Sequence, residues 1–396
     1  MTPPCSADTQ GVVQPTAAPR WIALDVLRGL MALAVAVYHL SVWTHALEGR
    51  VRNLAIVAGI YSVQGFFILS GLCFFGLHGR ARIDRGWLRD FYLRRYLRLA
   101  PLFYVAIALN YALGTPVDPT AGWFRIAENL SLGFALTHPN HALVLGGWSI
   151  GIEWLFYGAF PWLAWLTRRR VWLYVLLACA IGWAVPWTFG KVAATPTAKQ
   201  FNAYVQIPNH AWLFLVGGVI ADLRERVAWR LRWWIAVPLS AALAAWLLVG
   251  EPDIVDHIDV MVGVSRVRYV SCCATLIAIW SLVDTERAAR DRRVLRFTSP
   301  LRWLGDLSYS VYLMHPFAWW WTSRNIPAGS SPLAQLSAGL VVTLVLAALT
   351  HVIIERPAIA LGRRLTTTRR ASAAAAAPLT AAASLGHGFD RGAQVG

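Results

Sequence analysis

The apolar segment 21–40 carries three ionisable side chains, Asp25, Arg28 and His39. Arg28 and His39 are 11 residues apart, so at about 100° per residue both project from one helix face, roughly 16 Å apart along the axis. Asp25 precedes Arg28 by one turn and can pair with it. Imidazole titrates near neutral pH, which makes His39 a candidate general base for a hydroxyl proton. The structural alternative has Arg28 extending to the aqueous surface and His39 bonded to a neighbouring helix.

A second apolar segment, 147–161, holds the carboxylate of Glu153. Ser149 lies one turn before it and Tyr157 one turn after it, on the same helix face. We expect Glu153 either to orient His39 or to act as a second acid–base group. The alternative for Glu153 is a structural hydrogen bond between helices.

A third set of polar residues lies within the apolar segment 303–322, where Tyr309 and Ser310 precede His315. Packing within the protein and contact with a substrate are equally open interpretations of His315. The five cysteines show no metal-ligand spacing and three lie inside apolar segments, so neither a metal site nor a disulfide framework is predicted.

The composition indicates a membrane protein. Hydrophobic residues make up 57% of the 396 residues and charged residues 14%, whereas soluble domains carry about a quarter charged residues. The mean hydropathy is +0.50. Many of the 21 tryptophans lie at the ends of apolar segments, where membrane proteins have an aromatic belt. The formal charge of +16 comes from short arginine blocks between these segments, so it indicates topology and membrane lipid rather than nucleic acid as a partner.

A transmembrane helix needs about 20 mostly apolar residues, and about ten such segments occur. They are 22–43, 54–77, 99–113, 147–167, 171–189, 210–222, 233–250, 267–283, 303–322 and 333–354. Arginine-rich loops alternate with arginine-poor ones, which by the positive-inside rule places 79–98 and both termini in the cytoplasm and the acidic loop 251–266 outside. The predicted fold is an all-α polytopic membrane protein, a bundle of about ten transmembrane helices.

The two ends of the chain differ from its apolar centre. Residues 1–20 are polar and contain four prolines, which predicts a cytoplasmic tail before an uncleaved first helix. Residues 361–396 are rich in Ala, Thr, Ser and Gly, which predicts a disordered cytoplasmic tail. The segment 21–360 between them is predicted to form the transmembrane domain.

Arg94, Arg95 and Arg98 lie at the predicted cytoplasmic entrance of the third helix. Guanidinium groups make bidentate contacts with phosphates, so these residues can bind a phosphate-bearing substrate that arrives from the cytoplasm. The alternative is a purely topological role, because cytoplasmic loops collect arginine.

Six motifs, in order along 21–359, resemble those of the acyltransferase 3 family of membrane O-acyltransferases. They are Arg28 with ten intervening residues before His39, VQGFFILSG at 63–71, FYLRRYLRLAP at 91–101, GWSIGIEWLFYGAFP at 147–161, LGDLSYSVYLMHP at 304–316 and IERPAI at 354–359. The chain departs from the family at Gln64, where many members carry Asp. It resembles the stand-alone membrane module without a hydrolase-like domain.

The resemblance implies an enzyme that transfers an acyl group, most simply acetyl, from cytoplasmic acyl-CoA to a hydroxyl of a sugar or glycoconjugate. The donor is then a substrate, and no permanently bound cofactor is expected. The implied location is the bacterial plasma membrane. His39 acts as general base or is acylated transiently, and the acyl group and the glycan or glycolipid acceptor stay open.

The candidate site residues fall into three groups. The catalytic group is His39, Glu153 and Arg28; the CoA-binding group is Arg94, Arg95 and Arg98; the substrate-binding or structural group is Asp25, Gln64, Ser70, Trp148, Ser149, Tyr157, Tyr309, Ser310 and His315.

A secondary transporter of a small polar or anionic solute is the competing class, because intramembrane Arg, His and Glu would also suit one. Transporters often contain paired half-chain repeats with broken helices at corresponding positions, and the sequence shows no such repeat. A non-catalytic scaffold would have no use for these ionisable groups at membrane depth.

Overall fold

The structure, a computed structural model, describes residues 21–114, 121–248, 254, 260–284, 292–327 and 329–375. The predicted N-terminal tail at 1–20 lies outside these residues. So does half of the predicted outer loop at 251–266, together with the end of the C-terminal tail at 376–396.

The described part of the chain is helical and contains no β-strand, apart from one isolated bridge between Leu231 and Val283. The helices are α1 Ile22–Thr44, α2 Gly49–His78, α3 Arg85–Ala112, α4 Trp123–Leu130, α5 Phe134–Thr137, α6 Trp148–Leu166, α7 Val171–Val185, α8 Thr197–Tyr204, α9 Ala211–Arg226, α10 Trp233–Leu248, α11 Gly263–Ser281, α12 Arg292–Asp306, α13 Ser308–Asn325, α14 Pro332–Thr350 and α15 Arg356–Ala375. Each predicted apolar segment overlaps at least one of them, and the segment 303–322 overlaps both α12 and α13. The prediction of an all-α protein is confirmed.

Four described helical stretches are long and apolar enough to cross a membrane. They are Ile22–Thr44, Gly49–His78, Val171–Val192 and Pro332–Thr367. The first two bury most of their apolar residues inside the protein, whereas the last two expose most of theirs. α1 and α2 therefore form the interior of the bundle, and α7 and α14 lie at its periphery.

The central helix α2 packs against α1, α9 and α11. It meets α9 at Gly71 and Gly217. A Cβ on Gly71 would lie 1.9 Å from the carbonyl oxygen of Phe214, and a Cβ on Gly217 would lie 2.0 Å from that of Ile68. Only glycine permits this approach, because any side chain would force the two backbones apart.

A similar contact joins α1 to α12. A Cβ on Gly305 would lie 2.1 Å from the carbonyl oxygen of Asp25, and a Cβ on Gly29 would lie 2.6 Å from the Gly305 nitrogen. The two glycines thus fix the start of α1, including Asp25 and Arg28, against the helix that leads into α13.

The third helix is longer than predicted. The apolar pattern predicts a span over 99–113, whereas α3 begins at Arg85. The side chain of Asp84 accepts a hydrogen bond from the Trp87 backbone nitrogen at 2.8 Å, which caps the helix at this point. The arginines of the FYLRRYLRLAP segment therefore lie on a helix with defined faces rather than in a loop.

The last helix continues into the predicted C-terminal tail. Disorder is predicted from residue 361, whereas α15 extends to Ala375. α15 lies beside α3, and a Cβ on Gly362 would lie 3.4 Å from the Leu97 side chain. This packing accounts for the difference, because tertiary contacts stabilise helical turns that composition alone does not favour.

Candidate active site

A cavity of about 790 Å³ lies between α1, α2, α3, α6, α13 and the α14–α15 segment. Small-molecule sites commonly measure about 300–1,000 Å³. The lining runs from Trp21 and Leu77, near the ends of their helices, and Arg363 of α15 to the buried side chains of Ser149 and Tyr312 inside the bundle. The cavity is therefore large enough for a sizeable ligand and reaches from one end of the bundle into its interior.

Three of the predicted arginines line this cavity. Nη1 of Arg28 lies 3.6 Å from Oδ1 of Asp25, which confirms their predicted pairing within α1. The guanidinium of Arg95 lies 4.5 Å from the ring centroid of Phe74, a cation–π contact that holds it in place. Arg98 lines the same cavity. Three guanidinium groups facing one space can bind an anionic ligand, above all one with phosphates.

Glu153 lies in the same cavity wall as Arg95 and Arg98, close enough to interact with both guanidinium groups, and it meets two hydroxyl groups there. Ser70 Oγ donates a hydrogen bond to its Oε1 at 3.0 Å, and the Tyr157 hydroxyl donates to the same oxygen. The predicted one-turn relation to Tyr157 is present, and Ser70 of α2 adds a contact between helices. All three residues line the cavity, so the carboxylate is held in place beside any ligand there.

Glu355 adds a second buried carboxylate, outside the set of predicted site residues. It is 2% exposed, and it accepts hydrogen bonds from Ser310 Oγ at 2.8 Å and His351 Nδ1 at 3.1 Å. The segment His351–Glu355 is a π-helical turn, a feature that often marks functional positions. A histidine and a glutamate four residues apart beside an apolar segment are the signal that points to this pair in the sequence.

Tyr312 closes the inner end of the cavity. Its hydroxyl donates to the carbonyl of Gly146 at 2.9 Å and is hydrogen-bonded with Ser149 Oγ at 2.8 Å. Its ring meets that of His315 edge to face, with centroids 6.1 Å apart. Tyr312 therefore touches the cavity on one side and His315 on the other.

His39 lies beside His315, beyond the inner end of the cavity, and is not among the described residues that line the cavity. Its Nδ1 donates to the carbonyl of Val35 at 3.1 Å, so Nε2 carries the lone pair that can accept a proton. Its ring stacks on that of His315, with centroids 4.9 Å apart and planes 14° apart. Val35 and His315 thus hold the ring of His39 in place. Arg28 and His39 occupy two levels of one helix.

His315 is 1% exposed. Within the described part of the chain, neither nitrogen of its ring has a partner at normal hydrogen-bond geometry, although the backbone of Val311 and Tyr312, one turn earlier in its own helix, interacts with the ring. Buried polar atoms are nearly always hydrogen-bonded in folded proteins, so His315 is an exception that needs an explanation.

Gln64 and Trp148 lie in another polar cluster, near the start of α9. Gln64 is fully buried and donates to the Tyr204 hydroxyl at 3.1 Å. The ring of Trp148 lies 5.3 Å from that of His210. Neither residue lines the cavity in the described part of the chain.

Arg94 and Tyr309, both predicted site residues, differ in their placement. Nε of Arg94 donates to the carbonyl of Asp90 in its own helix at 3.0 Å, and Arg94 is not among the described lining residues. Tyr309 lines the cavity and donates to the Leu99 carbonyl at 2.7 Å.

Comparison with known proteins relates the whole apolar part of the chain to one family. The family model described as an acyltransferase domain matches residues 21–352. The chain is 25% identical over 325 residues to the peptidoglycan O-acetyltransferase OatA of Listeria monocytogenes, covering 74% of this chain and 48% of that protein. It is 23% identical over 383 residues to nodulation protein 10 of Rhizobium leguminosarum bv. viciae, covering 85% and 96%. The chain thus spans about half the length of the first relative and nearly all of the second. No solved structure matches it.

Proposed function

The chain belongs to the acyltransferase 3 family, and from this membership and the cavity we propose that it is an acetyl-CoA-dependent O-acyltransferase of the bacterial plasma membrane. One observation carries the proposal. Arg28, Arg95 and Arg98 face the same cavity as the hydrogen-bonded Glu153. This arrangement provides binding groups for a polyanionic donor beside groups that can handle protons.

The lining supports a definite orientation of acetyl-CoA. CoA carries its phosphates at one end and its thioester at the other. We place the phosphates against Arg95 and Arg98 and the thioester toward Ser149 and Tyr312, at the inner end. The acetyl group of the donor then lies at the inner end of the cavity, on the side of the bundle where His39 lies.

The reaction joins the acceptor oxygen to the acetyl carbonyl carbon and breaks the carbon–sulfur bond of the thioester. Nε2 of His39 takes the proton of the acceptor hydroxyl, and this proton is passed to the CoA thiolate, so the products are an acetyl ester and free CoA. The hydroxyls of Tyr312 and Ser149 lie at the inner end of the cavity and share the Gly146 carbonyl as acceptor. Either hydroxyl can turn from this carbonyl to donate to the oxyanion that develops on the thioester carbonyl. Transient acetylation of His39 gives the same products in two steps.

The arginine blocks support a topology with ten crossings and both termini in the cytoplasm. In this topology Trp21, Leu77 and Arg363 lie at the cytoplasmic side, so the cavity admits acetyl-CoA from the compartment that produces it. His39 is five turns after Trp21 along α1 and therefore lies toward the outer side.

A relative named as a peptidoglycan O-acetyltransferase supports a carbohydrate acceptor. We place the acceptor among the polysaccharides or glycolipids of the cell envelope, where the outer ends of α1 and α13 can meet it. The ester forms inside the bundle, between a donor from the cytoplasm and an acceptor from outside.

The test uses purified protein in lipid nanodiscs, with radiolabelled acetyl-CoA and cell-surface glycan isolated from a strain that lacks the gene. The wild type should transfer acetate to the glycan. His39→Asn keeps an N–H donor near the Val35 carbonyl but lacks a base, so transfer should fall by about 10²–10⁴-fold while acetyl-CoA binding persists. Arg28→Ala removes a guanidinium group from the cavity wall and should weaken acetyl-CoA binding.

Normal transfer by a folded His39→Asn protein would exclude His39 as base and as acylated nucleophile. Absence of transfer by the wild type, combined with solute uptake into proteoliposomes, would favour the secondary transporter instead.

A further inference from the structure

α1 and α13 present the same two residue types at the same spacing. His39 and Trp43 lie four residues apart on α1, and His315 and Trp319 lie four residues apart on α13. The two helices pack together. The histidine rings meet at one level, 4.9 Å apart, and the indole rings meet one turn further along, 5.9 Å apart with planes 28° apart. The four side chains therefore form one cluster, with the tryptophans on the side away from the cavity.

The tryptophans are half-buried, whereas His315 is 1% exposed. Trp43 stacks on His39 with centroids 5.5 Å apart, and it also lies 6.0 Å from His315. A ligand that approaches from the outer end of α1 and α13 thus meets the half-buried indoles first and the histidines behind them. Carbohydrate rings, with C–H groups on their faces and hydroxyls at their edges, suit such an arrangement.

We propose that Trp43, Trp319 and His315 bind one pyranose ring of the acceptor, an inference that rests on the proposed acyltransferase function. The ring packs against the indole faces and directs one hydroxyl toward the histidines. His315 hydrogen-bonds this hydroxyl and positions it for His39. The two ring nitrogens that make no hydrogen bond among the described residues then have a partner whenever the acceptor is bound.

A purely structural role for this cluster would not require imidazole at position 315. Packing alone would be served equally well by phenylalanine at position 315, because the stacking on His39 involves only the ring face. A buried aromatic cluster without a ligand would also gain nothing from imidazole nitrogens that make no hydrogen bond, since burying polar atoms is unfavourable.

The tryptophans are tested by kinetics in nanodiscs, with acetyl-CoA as donor and the isolated glycan of the deletion strain as acceptor. Trp43→Leu and Trp319→Leu should each raise the glycan concentration at half-maximal rate by about three- to tenfold, the range expected for losing an aromatic contact. Trp43→Phe should retain most of the affinity. Trp321→Leu is the matched control, because Trp321 lies on the same helix but is 44% exposed and should leave the kinetics unchanged.

His315→Phe removes both nitrogens while keeping a ring to stack on His39. We expect a slower maximal rate and a higher half-saturating glycan concentration, with acetyl-CoA binding unchanged and a melting temperature no lower than that of the wild type. His315→Gln, which keeps a polar group, should restore part of the rate if His315→Phe is inactive or misfolds. Wild-type kinetics in His315→Phe, or no rescue by glutamine, would overturn the positioning role.

The failure of this inference is distinct from failure of the proposed function. If the wild type transfers acetate to the glycan and both leucine variants keep its half-saturating glycan concentration, the acceptor site is wrong and the enzyme assignment stands. If the wild type transfers no acetate, the enzyme assignment and this inference fall together.

Discussion

Replacing Arg98 by alanine should weaken acetyl-CoA binding far more than replacing Arg94. Arg98 lines the cavity, whereas Arg94 is not among the described lining residues. A hydrogen bond between a guanidinium and a phosphate is worth about 1.5–3 kcal/mol. At about 1.4 kcal/mol per tenfold change, loss of the contact should raise the dissociation constant of acetyl-CoA by roughly 10- to 150-fold.

The carboxylates near Arg98 should add to the loss of acetyl-CoA affinity in Arg98→Ala. Glu355 and Glu153 are the carboxylates that interact with its guanidinium. Arg98→Ala would leave both carboxylates in the cavity without this neighbouring cation. Two anions beside the phosphate site would repel the donor, so the upper half of the predicted range is the better expectation.

Arg94→Ala is the matched control, because it removes the same charge from the same helix four residues earlier. Its Nε donates to the Asp90 carbonyl in its own helix. Arg94 is not among the described residues that line the cavity, so acetyl-CoA binding should change by no more than about twofold, as for most substitutions away from a site. Equilibrium binding of radiolabelled acetyl-CoA to each purified variant in nanodiscs measures both constants. Equal weakening by the two variants would indicate a general charge effect, and no weakening by Arg98→Ala would return the arginines to a topological role.

Three further results should follow from the described contacts. In a protein that keeps only Cys73, a half-buried thiol in the cavity wall, acetyl-CoA at 100 times its dissociation constant should slow maleimide labelling by about 100-fold; unaltered labelling would show that the donor binds elsewhere. Gly217→Ala should lower the free energy of unfolding by about 1–3 kcal/mol, because its Cβ would lie 2.0 Å from the Ile68 carbonyl oxygen. The Cβ of Gly158→Ala would meet nothing within 4 Å, so this control should keep the wild-type free energy of unfolding. Thermal unfolding in detergent compares the two variants. Tyr312→Phe keeps the ring but removes the hydroxyl that bonds Gly146 and Ser149. If this hydroxyl stabilises the oxyanion, acetate transfer to the glycan should slow by up to about 10²–10³-fold, and an unchanged rate would exclude that role.

The helical fold is predictable from the sequence because the membrane restricts the choice of structure. A segment of about 20 apolar residues that spans a bilayer must satisfy its backbone hydrogen bonds internally, and a helix does so. The apolar pattern does not show where a helix begins when its first turns consist of polar residues. α3 begins 14 residues before the predicted span, at Arg85, because an aspartate cap and not hydrophobicity decides where this helix starts.

The candidate site is predictable within one helix and much less so between helices. The ion pair of Asp25 with Arg28 follows from fixed helix geometry, and so does the hydrogen bond of Tyr157 to Glu153. The contact of Glu153 with Ser70 depends instead on how α2 and α6 pack, which no residue spacing reveals. The stacking of His39 on a histidine 276 positions later in the sequence has the same origin.

The distribution of charge along α1 and α13 fits two substrates of different chemistry. Arg28 of α1 lies in the cavity with Arg98 of α3, whereas the contact of α1 with α13 further along α1 holds His39, His315 and the indoles. Charged groups are costly at membrane depth and are retained where a charged ligand or partner compensates them. A CoA donor brings such charges and a sugar hydroxyl does not. Arginines around the donor and uncharged ring faces around the acceptor are therefore the arrangement that binds both at the least electrostatic cost.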